Sequence, residues 1–404
     1  MLKNKRCKDN GDFGKSPIFV REEDTFMKII PELQETGVFY IFWIFAGLLA
    51  VQLIYSVLFF GRLAFWKGKA AQTNLPPVSV VIAARNESDN LYENLPKILE
   101  QDYPSPFEVV VINNQSMDDS KYLLDALSRQ YPNLVVMEVE RSRHLTPSKK
   151  FPLTLGIKKA KYEHLILTDA DCTPASDLWL RKMAERFNDK KQIVLGYGPY
   201  RKKKGFLNKV IRFDTTMIAV NYFSMAINKI PYMGVGRNMA YTKEVFKSTN
   251  GFKSHYSLMS GDDDLFIQEA AKKGNYTLQL DPDSFQFSEA KENWESFVLQ
   301  KSRHYTTSPR YKVFKKAMLG IYPASLILML ISFVLLILQS GWWIHALAGF
   351  GFVTVIKWWL LGLCFKKLKS PGFIALLPIT DLVYVLVLPF FYYSALQKNS
   401  SRWK

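Results

Sequence analysis

The chain has 404 residues, of which 48% are hydrophobic and 14% aromatic, and it carries a formal net charge of +17. Its three cysteines, Cys7, Cys172 and Cys364, are too few and too widely spaced for a disulfide framework or a zinc site. The basic residues are not interleaved with a base-reading motif, which argues against a nucleic acid partner and favours anionic membrane lipids.

Four apolar segments are long enough to cross a bilayer, which takes about 20 helical residues. They cover residues 38–60, 318–339, 342–364 and 372–396. We therefore predict a polar lead at 1–37, a transmembrane helix at 38–60, one domain at 61–317, three transmembrane helices within 318–396 and a tail at 397–404. Lysine and arginine clusters border the spans on the side of the 61–317 domain. We expect a multi-pass plasma membrane protein whose domain is cytoplasmic.

Two charged residues fall inside the last two apolar segments. Lys357 and Asp381 lie at similar distances from the loop that connects the two segments. A lone charge at this depth is costly, so we expect the two side chains to pair. The alternative is that both extend to the membrane interface.

Between the first two spans, apolar β-branched runs alternate with helix-like segments. The predicted strands cover 78–84, 107–112, 134–139 and 164–168, and the predicted helices cover 88–100, 118–131 and 152–160. This alternation predicts an α/β domain with a mostly parallel sheet. Ligands of such sheets bind beyond the carboxyl ends of the strands.

Polar residues follow three of these strands and are expected to meet in one crevice. Glu87 follows the first strand, Asn113 the second, and Asp169 and Asp171 the fourth. The chain has no glycine-rich phosphate loop, and paired carboxylates suit Mg²⁺ or Mn²⁺. We expect Asp169 and Asp171 to bind a metal that holds a diphosphate. The alternative is a turn with two surface aspartates.

A second acidic cluster, Asp262-Asp263-Asp264, precedes a predicted helix. Adjacent carboxylates repel one another, which raises at least one pKa and can provide a general base. The alternative is a helix cap with acidic residues in the first turn.

In this order, the motifs of the domain resemble the membrane-integrated branch of the family 2 glycosyltransferases, which has the GT-A fold and includes hyaluronan, cellulose and ceramide glucosyl synthases. The resemblance covers roughly residues 76–311. It is carried by 84–87, 113–118, Lys150 with Leu153 and Gly156, 169–171, 234–241, Gly261-Asp262, and Gln300-x-x-Arg303-His304.

The resemblance implies an α/β GT-A domain that is similar to a Rossmann fold and has about four transmembrane helices. It also implies that Asp171 and Asp169 hold Mg²⁺ or Mn²⁺ and that Asp262 deprotonates the acceptor, with Asp263 as the reserve base. The donor-binding residues would be Glu87, Asn113, Lys150, Asp169, Gln300, Arg303 and His304.

The implied reaction is an inverting transfer of a sugar from a nucleotide sugar to a membrane lipid, a lipid-linked saccharide or a growing polysaccharide. We interpret the donor as a UDP-sugar. Three departures from the family pattern bear on it. Asn113 replaces an acid that reads the nucleobase, Gly261 replaces a glutamate, and His304 replaces a tryptophan of polymerising relatives. Asn113 weakens the case for uridine. His304, together with the small number of membrane spans, weakens the case for processive synthesis and favours transfer of one or a few sugars.

Two other functions stay open. The Asp-x-Asp and Gly-Asp-Asp patterns are also found in nucleic acid polymerases, although the flanking spans argue against one. The three departures also suit a catalytically weak or non-enzymatic subunit that binds nucleotide sugar or polysaccharide. Accessory membrane subunits are a further open partner.

Overall fold

The computed structural model describes residues 17–68, 72–140, 148–339 and 341–397, with side chains described from residue 36 to residue 393 of these ranges. Helix α1 (Pro17–Tyr55) continues through a π-helical turn (Ser56–Gly61) into α2 (Arg62–Ala64). Helix α1 therefore begins within the predicted polar lead. Residues 1–16 of that lead and 398–404 of the predicted tail lie outside the described residues.

The next part of the chain forms a seven-stranded sheet in the order β3-β2-β1-β4-β7-β6-β8. A separate two-stranded antiparallel ribbon pairs β5 with β9. The strands are β1 (Val78–Ala84), β2 (Phe107–Asn114), β3 (Leu134–Val139), β4 (His164–Asp169), β5 (Cys172–Pro174), β6 (Ile193–Leu195), β7 (Met239–Thr242), β8 (Tyr276–Leu278) and β9 (Gln286–Ser288).

The sheet is mixed rather than wholly parallel. Strands β1 to β4 run parallel to one another, and β6 runs parallel to β8. Strand β7 is antiparallel to both of its neighbours, β4 and β6. Its first three residues belong to the 234–241 segment, and no strand was predicted there because four residues are too few for a recognisable alternation.

Helices cover both faces of the sheet because successive strand residues point to opposite sides. Val81 faces the layer that contains α5, and Val80 faces the layer that contains α3. The α5 backbone lies so close that a Cβ on Gly156 would be 2.6 Å from Val81 Cγ1. The helices are α3 (Ser88–Leu99), α4 (Ser120–Gln130), α5 (Lys150–Lys159), α6 (Trp179–Ala184), α7 (Phe206–Ile227), α8 (Lys243–Ser248), α9 (Asp264–Ala270) and α10 (Trp294–Tyr305).

Three long apolar helices follow, namely α11 (Val313–Ile337), α12 (Trp343–Lys367) and α13 (Leu377–Gln397). With Thr36–Ala64, the described chain has four helical segments that are long and apolar enough to cross a membrane. Helix α1 packs against α11 and α12, and α13 packs against α10 of the domain. The four-helix expectation is confirmed, and we treat the chain as a membrane protein.

The predicted intramembrane pair is also confirmed. Lys357 Nζ lies 2.7 Å from Asp381 Oδ2, and both side chains are buried between helices instead of extending to the interface. The Tyr322 hydroxyl donates to the same carboxylate, so three helices meet at one polar contact.

Candidate active site

The carboxyl ends of three parallel strands bring the predicted polar residues to one edge of the sheet. Ala84 at the end of β1 is in register with Asn113 on β2, and Ala83 is in register with Asp169 on β4. This register is what the sequence predicts for strands that end together. The strand ends therefore form one polar cleft.

The loops after β1 and β2 are joined by hydrogen bonds around Glu87. The backbone N–H of Asn86 donates to Ser116 Oγ over 2.9 Å, and the Ser88 N–H donates to Asp118 Oδ2 over 2.9 Å. Hydrogen bonds of this kind hold the pKa of Asp118 below its usual value despite partial burial. Asn90 Nδ2 donates to Glu87 Oε2 over 2.5 Å. Glu87 thus lines a polar cavity between the two loops.

Asn113 is buried, and its amide is held by side chains of the neighbouring loop and strand. Its Nδ2 lies 3.1 Å and 3.0 Å from the two carboxylate oxygens of Glu138, and Ser116 Oγ donates to its Oδ1 over 2.5 Å. Glu138 is exposed on β3. A carboxylate therefore stands beside the position where Asn113 replaces the usual acid, and this residue was not predicted from the sequence.

Asp169 and Asp171 are the candidate metal ligands. One carboxylate oxygen of each and Cys172 Sγ lie within 4.8 Å of one another. Cys172 is buried, and its sulfur is a soft ligand that a hard cation does not prefer. The two carboxylates supply the hard oxygen donors that suit Mg²⁺ or Mn²⁺.

Lys149 links this pair to the second acidic cluster. Its Nζ lies 2.6 Å from Asp169 Oδ1 and 3.4 Å from Asp262 Oδ2. Burial lowers the pKa of the Lys149 ammonium, but Asp169 and Asp262 outweigh this effect and raise the pKa above its usual range. The ammonium therefore fixes the two carboxylates across the cleft from each other.

Lys150, which we predicted as a donor-binding residue, has different surroundings. Its buried Nζ donates to the backbone oxygens of His255, Leu258 and Ser260, at 3.0 Å, 2.6 Å and 2.5 Å. These bonds hold the loop that precedes Asp262. Adjacent helical residues point about 100° apart, and it is Lys149, the residue before Lys150, that contacts the carboxylates of the cleft.

The three acids of the second cluster have separate partners. Asp263 accepts hydrogen bonds from the backbone N–H groups of Gly236 and Asp264 at 3.1 Å and 2.8 Å. Asp264 accepts from the hydroxyls of Tyr311, at 2.6 Å, and Thr307. Asp262, in contrast, contacts Lys149 in the cleft.

Two carboxyls of this cluster, those of Asp263 and Asp264, have a raised pKa. Burial raises the pKa of Asp263 to about 7, and repulsion by Asp262 and Asp264 adds to the rise. Burial also raises the pKa of Asp264. Gly261, the departure just before the cluster, has a φ of +107°, and a Cβ there would be 2.9 Å from Leu265 Cδ1. A glutamate does not fit this backbone without strain.

The three predicted donor-binding residues of α10 are placed differently from one another. Gln300 Nε2 donates to the Tyr200 hydroxyl over 3.1 Å. His304 is exposed and within electrostatic range of Arg237 and Lys149, and Arg303 is half-buried. In the described part of the chain, we find no contact of Arg303 or His304 with the acidic pair of the cleft.

The sequence and the fold of the domain agree with what is found in other proteins. Residues 79–249 match the profile of the family described as Glycosyl transferase family 2. The chain contains a family 2 glycosyltransferase domain. The resemblance inferred from the sequence motifs is thereby confirmed.

Two curated relatives match parts of this domain. Glycosyltransferase AglE of Haloferax volcanii is 31% identical over 111 residues, which are 27% of this chain and 35% of that protein. Beta-monoglucosyldiacylglycerol synthase of a Nostoc species is 31% identical over 113 residues, which are 28% of this chain and 24% of that protein. The chain spans about a third or less of the length of these relatives.

A solved structure resembles almost the whole fold. It is a mannosyltransferase of Pyrobaculum calidifontis in complex with GDP-Man and Mn²⁺, with a TM-score of 0.54 and 17% identity. The match covers 85% of this chain and 98% of that one. At this identity the likeness establishes the fold, so the GT-A fold class expected from the sequence is confirmed.

Proposed function

We propose that the chain is a metal-dependent, inverting glycosyltransferase that moves a sugar from a nucleotide sugar to an acceptor at the membrane. The single observation that supports this best is the ion pair geometry of Lys149. Its ammonium touches Asp169 of the candidate metal pair and Asp262 of the candidate base cluster. One cleft thus holds a site for a diphosphate and a carboxylate for an acceptor hydroxyl.

Asp169 and Asp171 would hold Mg²⁺ or Mn²⁺, which neutralises the charge of a bound diphosphate. Both relevant oxygen donors are carboxylates, as the hard cation prefers. The nucleoside would lie between the loops after β1 and β2, near Glu87 and Asn113. Glu138 offers a carboxylate that can accept an N–H of the base, which compensates for the missing acid at Asn113.

Asp262 would act as the general base because its two neighbours in the cluster are engaged in structural hydrogen bonds. Its carboxylate takes the proton of the acceptor hydroxyl while that oxygen attacks the anomeric carbon. The bond between the anomeric carbon and the diphosphate oxygen breaks, and its electron pair leaves with the nucleoside diphosphate. A single displacement inverts the configuration. Asp263 remains the reserve base.

Helix α10 would carry the donor-binding side chains Gln300, Arg303 and His304. Arg303 can donate charged hydrogen bonds to a leaving diphosphate. The helix also contacts the last membrane helix, with the rings of Tyr305 and Tyr392 6.0 Å apart. An acceptor anchored in the bilayer would therefore reach the cleft along α10.

We propose a membrane lipid or lipid-linked saccharide as the acceptor, with polysaccharide as the broader class. One relative is named a beta-monoglucosyldiacylglycerol synthase, which supports a lipid acceptor. The donor is proposed to be a UDP-sugar, and the domain at 61–317 is proposed to face the cytoplasm from a multi-pass plasma membrane protein. Orientation rests on the basic residues that border the spans.

The test is a donor screen on purified protein in lipid with Mg²⁺ or Mn²⁺. Nucleoside diphosphate release is measured for UDP-, GDP- and other nucleotide sugars, with and without membrane lipid extract. We expect release from one donor, stimulation by lipid, and loss of release on Asp171→Ala. Asp189→Ala, at an exposed turn, is the matched control. Donor binding without release by any donor would favour the non-enzymatic binding subunit.

A further inference from the structure

Arg237 lies at the cleft, within the 234–241 segment that carries part of the family resemblance, although it was not among the predicted site residues. It follows Gly236, where a Cβ would be 3.3 Å from Asp262 Oδ2 and 3.4 Å from Lys149 Nζ. Its guanidinium interacts electrostatically with Asp169 and Asp171. The side chain is half-buried, so part of it is open to solvent.

The guanidinium is held in one place by backbone and aromatic contacts. Nε donates to the Gly198 backbone oxygen over 3.0 Å, and Nη2 donates to the same oxygen. Nη1 lies 3.4 Å from the Tyr200 hydroxyl, and the guanidinium carbon is 4.6 Å from the centre of the Tyr200 ring. A fixed guanidinium loses less freedom when it binds a ligand.

The absence of a side chain at Gly198 leaves space for the Arg237 guanidinium. A Cβ on Gly198 would be 2.4 Å from Arg237 Nε, so a side chain at 198 would displace the guanidinium. Gln300 of α10 donates to the same Tyr200 hydroxyl as Arg237. Arg237 therefore connects the Asp169–Asp171 end of the cleft to the helix that carries the proposed donor-binding residues.

This cation lacks a direct counter-ion among the described residues. No carboxylate oxygen there lies within 4.0 Å of its guanidinium, whereas Lys149 contacts two carboxylates. The hydrogen bonds to Gly198 and Tyr200 leave one N–H group on each terminal nitrogen without an acceptor in that part of the chain. Two N–H groups on one planar fork match a pair of phosphate oxygens.

We propose that Arg237 is a further catalytic residue that binds the diphosphate of the nucleotide-sugar donor and stabilises the charge that develops on it as the sugar departs. The proposal rests on the proposed function and adds to it a second cation beside the metal pair. The alternative is that Arg237 only braces Tyr200 and Gly198. Loss of a purely structural Arg237 would affect folding and weaken every ligand alike. Loss of a phosphate-binding Arg237 would weaken only ligands that carry phosphate.

The experiment compares nucleosides with nucleoside diphosphates. Binding of UDP, uridine, GDP and guanosine to the full chain in lipid is measured by ligand-observed NMR and calorimetry. For the nucleotide that binds, Arg237→Gln should weaken diphosphate affinity by about 10- to 100-fold and leave nucleoside affinity within about twofold. Arg237→Lys, which keeps the charge but loses the fork, should fall between wild type and Arg237→Gln.

Arg201→Gln is the matched control, because Arg201 pairs with Glu289 on an exposed surface. It should bind nucleoside and diphosphate as the wild type does. Equal weakening of nucleoside and diphosphate, or unchanged diphosphate affinity, in a folded Arg237→Gln or Arg237→Lys protein would overturn the proposal. If the wild-type chain binds neither diphosphate and the donor screen gives no release from any nucleotide sugar, the proposed function itself fails. If the wild type binds and transfers sugar and Arg237→Gln does the same, only this inference fails.

Discussion

Lys149 and Lys150 stand side by side at the start of α5, and their ammonium groups have different partners. Lys149 contacts carboxylates on both sides of the cleft, whereas Lys150 donates to three backbone oxygens. A buried ammonium that satisfies three carbonyl groups supports the fold. One that contacts two carboxylates keeps like charges close together, which supports the site.

These roles predict opposite effects of two matched substitutions. Lys150→Met leaves buried carbonyls without donors and should destabilise the chain by about 2–4 kcal/mol. Lys149→Met should cost less stability, because Asp169 keeps 32% of its side chain exposed to solvent, but it should lower kcat by about tenfold or more, because Asp169 and Asp262 lose the charge between them. Thermal unfolding and initial rates on both variants measure this. The reverse pattern would mean that Lys150 acts on the donor.

The raised pKa of Asp263 predicts a pH-dependent stability. The folded chain holds a proton on this carboxyl up to about pH 7, whereas an unfolded aspartate releases it near pH 3.9, roughly the model-peptide value. The stability that Asp263 contributes therefore falls as the pH rises from about 4 to about 7, and is level above that. The amide of the Asp263→Asn variant does not titrate in this pH range, so this variant serves as the reference.

We expect the Tm of the wild type, relative to Asp263→Asn, to be highest at low pH and to decline towards pH 8. Thermal unfolding of both proteins in the same detergent at several pH values measures the difference, and other titrating groups cancel between them. A relative Tm that rises with pH would show that Asp263 is ionised in the folded chain throughout.

At the scale of elements, α10 is anchored to α7 by a buried ion pair. Lys301 Nζ lies 2.8 Å and 2.9 Å from the two oxygens of Asp214. Lys301 stands next to Gln300 on the helix, so the Lys301–Asp214 ion pair fixes the position of Gln300 and Arg303. Removing one partner of a buried pair costs about 3–5 kcal/mol, because the other charge is left unpaired.

We therefore expect Lys301→Met to lower both Tm and kcat, and the double variant Asp214→Asn/Lys301→Met to regain more than half of the lost Tm. Lys203→Met/Glu289→Gln removes an exposed pair and is the control, with little expected change. Tm and kcat are measured for each. If the double variant is no more stable than Lys301→Met alone, the pair does not position α10.

The long elements could be predicted from the sequence and the short ones could not. Strands β1 and β4 are nearly continuous apolar runs, as buried parallel strands require, and their predicted bounds agree with the structure to within a residue. Strands β6 and β8 have three residues each, which is too few for a periodic pattern. Their pairing depends on contacts with segments distant in the sequence.

In the candidate site, residues in local motifs could be predicted, and residues that depend on long-range contacts could not. Asp169 and Asp262 could be predicted because each stands in a local acidic motif. Glu138, Lys149 and Arg237 could not, because their importance comes from side chains that are far away in the chain. Glu138 reaches Asn113 from the next strand, and Arg237 is held by Gly198 and Tyr200.

At the scale of the whole molecule, buried polar contacts join the membrane helices. Lys357 of α12 pairs with Asp381 of α13, and Tyr322 of α11 donates to Asp381. Gln52 of α1 donates to the Tyr322 backbone oxygen and to Ser325 Oγ over 2.9 Å and 2.7 Å. Each of the four helices therefore takes part in polar contacts that fix its neighbours.

The Lys357–Asp381 contact predicts a non-additive stability cycle. Lys357→Ala and Asp381→Ala should each destabilise the chain, and the double variant should be less destabilised than their sum by about 1–3 kcal/mol. Unfolding free energies are measured in the same lipid or detergent for all four proteins. The exposed pair Lys97–Glu93 is the control and should be close to additive. Additivity at Lys357 and Asp381 would mean that the pair carries no coupling.

The most direct test of a glycosyltransferase site built around Asp262 separates donor binding from transfer. Donor affinity and transfer rate are measured for wild type, Asp262→Asn and Asp263→Asn with the nucleotide sugar that the wild type uses. We predict that Asp262→Asn binds donor within about twofold of wild type and transfers at least about 10²-fold more slowly, while Asp263→Asn transfers at a rate closer to wild type. Undiminished transfer by Asp262→Asn would contradict the assignment of the base and of the cleft around it.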